Sequence, residues 1–154
     1  MARQADSDTY DVHDLIREFL LQSLDTQSKE ELHSKAVVWY EKQPSSSQIS
    51  LEMIYHLISS SRHEDATSII IDEGRDLVKE GHIELLGLLE TIDTKSVNAE
   101  GACRIDRLRG EVLALLGRFD EAEEAFNQAR PPAEAAGLKD VIADILSNLS
   151  LIHI

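Results

Sequence analysis

The stretch Arg104 to Ala129, RIDRLRGEVLALLGRFDEAEEAFNQA, specifies two short helices. Ile105, Leu108, Val112, Leu115 and Leu116 recur at helical spacing and form one apolar face, with Gly110 as the single small residue in mid-run. Gly117 breaks the run, and Asp120, with Glu123 three residues on, reads as the N-cap of a second helix. Phe119, Ala122, Ala125, Phe126 and Ala129 supply the apolar face of that helix. A glycine inside a helix costs about 1 kcal/mol relative to alanine, so Gly110 needs a packing reason. The expected reason is a second helix pressed close, offered by the small side chains of Ala122 and Ala125.

Outward from this hairpin the same pattern repeats without strand signals. Toward the N-terminus, a helix beginning near His13 and capped by Asp11 carries Leu15, Ile16, Phe19, Leu20 and Leu24. Ser28 with Glu31 forms a capping box for the next, whose apolar side is Leu32, Ala36, Val37, Trp39 and Tyr40, the last two as core or interface residues, and which ends at Pro44 and the serines 45–47. Helices are then expected over 50–60, from a turn at 61–63 to Gly81, and over 82–92, the last apolar nearly all round. Beyond the central hairpin, Ala135-Ala136-Gly137 marks a boundary before a helix with Leu138, Val141, Ile142, Ile145, Leu146 and Leu149. The expected fold class is all-α, antiparallel helix hairpins stacked as an α-α superhelix. Its divisions are 1–43, 48–92 and 96–154.

The chain has 154 residues, 42% hydrophobic and 29% charged, enough for one domain or a short helical solenoid. Its formal net charge of −14 repels phosphate backbones and anionic lipid, so neither direct nucleic-acid binding nor membrane binding is expected. No apolar run approaches the roughly 18 residues of a membrane span, and the first residues lack the apolar core of a signal peptide, which points to the cytoplasm. Cys103 is the single cysteine and excludes an internal disulfide or a cysteine zinc site. In that setting the acceptor-like triplet Asn148-Leu149-Ser150 reads as chance.

Gly110, Leu113, Gly117, Phe119, Ala122, Phe126 and Ala129 resemble the pattern of a tetratricopeptide repeat, with departures at Asp106 and Arg109 and an early closing proline at Pro131 and Pro132. Aligning DILSNLSLIHI with RIDRLRGEVLALLG places the first helix of a second repeat about forty residues later, with its partner truncated at Ile154. A single repeat cannot bury its own apolar face, so the chain reads as a fragment of a longer protein. In related repeats the first helix lines a concave peptide-binding groove. The resemblance therefore makes Arg104, Arg107 and Glu111 the groove candidates, with the arginines facing either an acidic partner or the chain's own acids.

The run Tyr10 to Leu20, with the triplet Val12-His13-Asp14, resembles the end of the winged-helix module in STAND-type signalling NTPases. The order Glu31-Leu32-His33, Trp39-Tyr40-Glu41, Tyr55-His56-Leu57 and then the repeat is similar to that class as well. The resemblance implies that His13 senses the phosphates of ADP or ATP inside a longer parent protein, a task suited to a ring that donates hydrogen bonds and takes up charge. This chain carries no G-x-x-x-x-G-K-[ST] loop, so no cofactor is expected in the chain itself.

His33, His56, His63, His82 and His153 fall on different helices without an H-E-x-x-H pair, and no metal site follows. No Ser/His/Asp or Cys/His set has a family signature, so no enzyme activity is expected. The expected function is a non-catalytic helical-repeat segment that binds a protein, a peptide or a small-molecule inducer. It would transmit that event within a STAND-like ATPase or transcription regulator, and self-associate through the truncated C-terminal repeat. The alternative is a free-standing repeat adaptor with no nucleotide link.

Overall fold

The structure, a computed structural model, describes residues 22–153, and these form an all-α fold. Seven α-helices follow in order among the described residues: α1 Thr26–Tyr40, α2 Ser47–Ser59, α3 His63–Lys79, α4 Leu85–Thr91, α5 Ala99–Leu115, α6 Phe119–Ala136 and α7 Lys139–Ile152. A 3-10 turn, Thr94–Ser96, connects α4 to α5. No described residue is in a strand. No helix among the described residues is long and apolar enough to cross a membrane.

The starts of α1, α2 and α5 are set by short polar side chains, in places one to three residues from where the sequence pattern puts them. The cap of α1 is Asp25, whose carboxylate accepts both the backbone N–H (2.8 Å) and the hydroxyl (3.0 Å) of Ser28. A carboxylate can take both donors, which is why Asp25 displaces Ser28 from the capping role. Ser46 caps α2 by accepting from the Ile49 N–H, so the serine-rich stretch is a helix start as well as a loop. Asn98 caps α5 by accepting from the Gly101 N–H at 2.8 Å. Asp120 does not cap α6: that helix opens at Phe119 behind Arg118, which instead pairs with Glu121.

The first hairpin of the stack, α2–α3, and the central hairpin, α5–α6, close on the same turn. Ser61 and Gly117 both take a left-handed conformation, at φ 60° and 72°. Each donates its N–H three residues back, to Ile58 and Ala114, while the following Arg62 and Arg118 donate to the carbonyls of Leu57 and Leu113 at 2.9 Å. This crossed pair of bonds satisfies the last carbonyls of the first helix. The arginines then grip the acid three residues on, Arg62 with Asp65 and Arg118 with Glu121, each at 2.7 Å through Nε. Ala66 and Ala122 follow at the same spacing, and both are fully buried. Gly81 and Gly137 close α3 and α6 in the same left-handed manner.

The helix α6 continues through Pro131 and Pro132 to Ala136, rather than stopping at them. Both prolines are exposed, and the carbonyls they leave without an i+4 donor, on Asn127 and Gln128, belong to exposed residues that water can serve. Buried Ala129 and Ala133 on the opposite side hold the helix against the core through this point. The expected fifth helix is shorter than its apolar pattern suggests. Residues 81–84 are spent on turn bonds such as Leu85 N–H to His82, and Ile83 is left exposed.

Consecutive helices pack on one another from α1 to α3 and from α4 to α7, while α3, α5 and α7 lie side by side, as do α2 and α4. This is the neighbour pattern of stacked hairpins. The helix α5 touches α3, α4, α6 and α7, and eight of its residues are buried. Gly110 has a packing reason in the close approach of α6, and the side chain nearest to it is Phe126. A Cβ at Gly110 would stand 2.6–2.8 Å from three atoms of the Phe126 ring, itself fully buried. One core runs from Leu51 to Ile145, so the expected divisions 48–92 and 96–154 share it. The helix α1 lies outside that core and contributes Val37 alone, packed with Leu57 and Ala66; Leu32 and Trp39 on its apolar side are about half exposed.

Candidate functional site

The three side-by-side helices α3, α5 and α7 form a groove. Its floor is an ion network built from side chains on all three. Arg107 of α5 is 5% exposed and bonds Glu111, one turn on, at 2.5 Å. Asp144 of α7 lies 3.6 Å from the Arg107 guanidinium and is also bonded by Arg75 of α3. Burial pushes the Glu111 carboxyl above its usual range, against the pull of Arg107 and Arg75. At the other end of α5, Arg104 bridges Glu100 and Asp140 of α7 at 3.0 and 2.9 Å. Burial works against the charge of Asp140, but the bond and charge of Arg104, together with the backbone N–H groups at the helix start, outweigh it and hold that carboxyl below its usual range.

Past Glu111 the groove turns apolar. A cavity of about 390 Å³ is lined by Val78, Lys79, Glu111, Ala114, Leu115, Phe119, Asn148, Leu151 and Ile152. Leu115, Phe119 and Leu151 are 58%, 51% and 66% exposed, an apolar surface that no described helix covers. Apolar side chains gathered at one exposed cleft are the usual mark of a binding surface.

The residues singled out from the sequence are therefore brought together in part. Arg104, Arg107 and Glu111 lie on one face of α5, at its contact with α7, and Glu111 reaches the cavity. The two arginines are engaged by acids of this chain: Arg104 and Arg107 tie α5 to α7, and Arg109 bonds Asp106 and the Leu89 carbonyl. His13 lies outside the described residues. Leu115, Phe119 and Leu151 were not among the sequence candidates, because each reads as a core position in a helical pattern and only the packing shows it to be uncovered.

Compared with family models, curated proteins and solved structures, the chain matches none.

A second cluster joins α1 to α2. His33 of α1 and His56 of α2 meet through their Nδ1 atoms at 2.7 Å, so one ring donates and the other accepts. Tyr55 stands edge-on to His33, and Tyr40 stacks on His56 with ring centres 5.5 Å apart. Trp39 packs edge-on against Tyr40. Burial lowers the basicity of both imidazoles; in His56 the neighbouring His33 lowers it further, against Glu52. Helical spacing alone does not pair residues on different helices, which is why the sequence left these histidines scattered. No group of three or more metal-ligating side chains comes together among the described residues. Near α1 a larger cavity, about 640 Å³, is lined by Gln27, Glu30, Glu31, Ser34, Lys35, Val38 and Ser60, with Val38 as its one apolar side chain.

Proposed function

We propose that this chain is a non-catalytic helical-hairpin interaction module, working in the cytoplasm, whose binding surface is the α3–α5–α7 groove. The observation that carries the reading is the uncovered apolar mouth of Leu115, Phe119 and Leu151 beside a floor whose charges are already paired. A partner gains little from the floor, since Arg104 and Arg107 are occupied, and gains most from burying apolar side chains at the mouth. With a net charge of −14 on the chain, the fitting occupant is a helix-forming protein segment with an apolar face and flanking Lys or Arg. Resemblance to tetratricopeptide repeats supports a peptide-type occupant. Resemblance to STAND-type NTPases supports a role in relaying occupancy to a nucleotide-binding region of a longer parent protein. A free-standing adaptor would use the same groove, and a phosphate-binding loop encoded upstream of residue 1 separates the two.

The test is fluorescence anisotropy with three labelled peptides of one length: a Leu/Lys amphipathic helix, its Leu→Ser version and a Leu/Glu version. The Leu/Lys peptide binds, and Phe119→Ser or Leu151→Ser weakens it by about tenfold, the loss of one buried apolar anchor. Equal binding of the Leu→Ser peptide, or no effect of either substitution, would refute the groove as the binding surface.

A further inference from the structure

We propose that the His33–His56 pair is a proton-operated latch that holds α1 against α2 while the pair shares at most one extra proton and releases α1 when it takes a second. Two Nδ1 atoms at 2.7 Å require one N–H and one lone pair between them. In the neutral pair the donor ring carries its proton on Nδ1, which leaves its Nε2 lone pair free. A first added proton goes to that outer Nε2. The donor becomes imidazolium and the Nδ1–H···Nδ1 bond becomes charge-assisted, so the contact survives. A second proton has only the acceptor Nδ1 lone pair, the one that receives the bond. Taking it leaves two N–H groups and two positive charges face to face.

The surroundings make this contact decisive for α1. That helix buries Val37 alone, so the ring cluster is a large share of what docks it. The charged groups around the pair do little to offset the second charge. Glu52 of α2 is the acid that His56 feels, and it is shared with the Tyr40 hydroxyl of α1. On α1, Glu30 accepts a bond from the Ser61 hydroxyl. The acids of α3 that reach α2, Glu73 and Glu80, are bonded by Ser50 and Ser47. On the α4 side, Glu84 is bonded by His82, and Glu90 lies within reach of Arg118.

The direction with pH follows. Both imidazoles are less basic in the docked state than the ordinary 6.5, so the docked state binds fewer protons than the undocked one. Docking holds above pH 6.5 and through the first uptake, and is lost as pH falls further through the second. The behaviour of His82 is opposite in sign. Its bond to the Glu84 carboxylate raises its basicity, so any stabilisation it lends is present at low pH and lost as pH rises.

The experiment follows the imidazole NMR signals of the full chain from pH 8 to 4.5, together with amide exchange in 26–40 and the fluorescence of Trp39, the chain's one tryptophan. The expected result is a second proton uptake by the pair below 6.5. It coincides with a shift in Trp39 emission and an exchange rate in α1, corrected for intrinsic pH dependence, about tenfold faster relative to α5. His56→Gln and His33→Gln, which keep a hydrogen-bonding side chain but cannot charge, remove the step. The latch is refuted if α1 protection is the same at pH 7.5 and 5, or if either glutamine variant keeps the step. Should a variant lose α1 at every pH, the wild-type ring signals decide: two independent titrations at the ordinary value refute it.

Discussion

The hairpins α2–α3 and α5–α6 share one turn and differ in the seam between their helices. Aligned on Ser61 and Gly117, the buried pairs Leu57/Leu113 and Ala66/Ala122 coincide. At the next seam positions they part. The central hairpin has Gly110 beneath the Phe126 ring, while the first has Ile54 and Ile70, both fully buried. Where α5 places fully buried Val112, α2 places His56. A local bond pattern thus fixes how each hairpin folds back, and the side chains one turn away decide what the hairpin is for. In α5–α6 they make a dry joint at the centre of the stack, and in α2–α3 they leave a polar face on which α1 rests.

The largest effect expected from disturbing this comparison lies at the Gly110–Phe126 joint. Phe126→Ala should cost about 3–5 kcal/mol, measured by urea unfolding, because the surrounding helices cannot close the cavity. Gly110→Ile alone overpacks the seam and costs about 1–3 kcal/mol or more. The double change Gly110→Ile with Phe126→Ile gives the central hairpin the pair found in α2–α3. It should cost less than the two single changes summed, since the sites touch. Simple additivity would show that the two seams are not interchangeable solutions to one geometry.

The groove floor comes next. Arg107→Met removes the cation between Glu111 and Asp144, with an expected loss of about 3 kcal/mol at pH 7, a buried pair broken on one side. The sign with pH is fixed by Glu111, whose carboxyl is already pushed up by burial. In the variant the penalty should shrink as pH falls and that carboxyl takes up its proton. A pH-independent penalty would assign the loss to packing of the arginine stem instead.

The smallest effect belongs to the turn. Ser61 holds a left-handed conformation that glycine adopts freely, so Ser61→Gly should stabilise the chain by about 0.5–1 kcal/mol, in part offset by loss of its bond to Glu30. Gly117→Ser should do the reverse. Thermal denaturation of the two variants reads both, and equal signs would break the equivalence of the turns.

These cases also mark how far the sequence could be read. Helical class, the breaks at Gly81, Gly117 and Gly137, and the Gly110 joint were all legible, because each is set by residues close in the chain. The equivalence of Ser61 with Gly117 was hidden, since serine in a left-handed turn carries no composition signal. The continuation of α6 through Pro131 and Pro132 was hidden as well, because exposure on one face and burial on the other are tertiary facts. At the candidate site, Arg104, Arg107 and Glu111 were singled out by resemblance to a repeat's first helix, and they do share one face of α5. That Leu115, Phe119 and Leu151 stay uncovered, and that His33 reaches His56, depends on which helices become neighbours.

The most direct test of the groove is backbone chemical-shift mapping with the Leu/Lys peptide. The expected perturbations cluster at Val78 and Lys79, from Glu111 to Phe119, and from Asn148 to Ile152. Perturbations centred instead on Leu32, Trp39 and Tyr55, exposed apolar side chains of α1 and α2, would move the binding surface to the α1–α2 face and contradict the assignment.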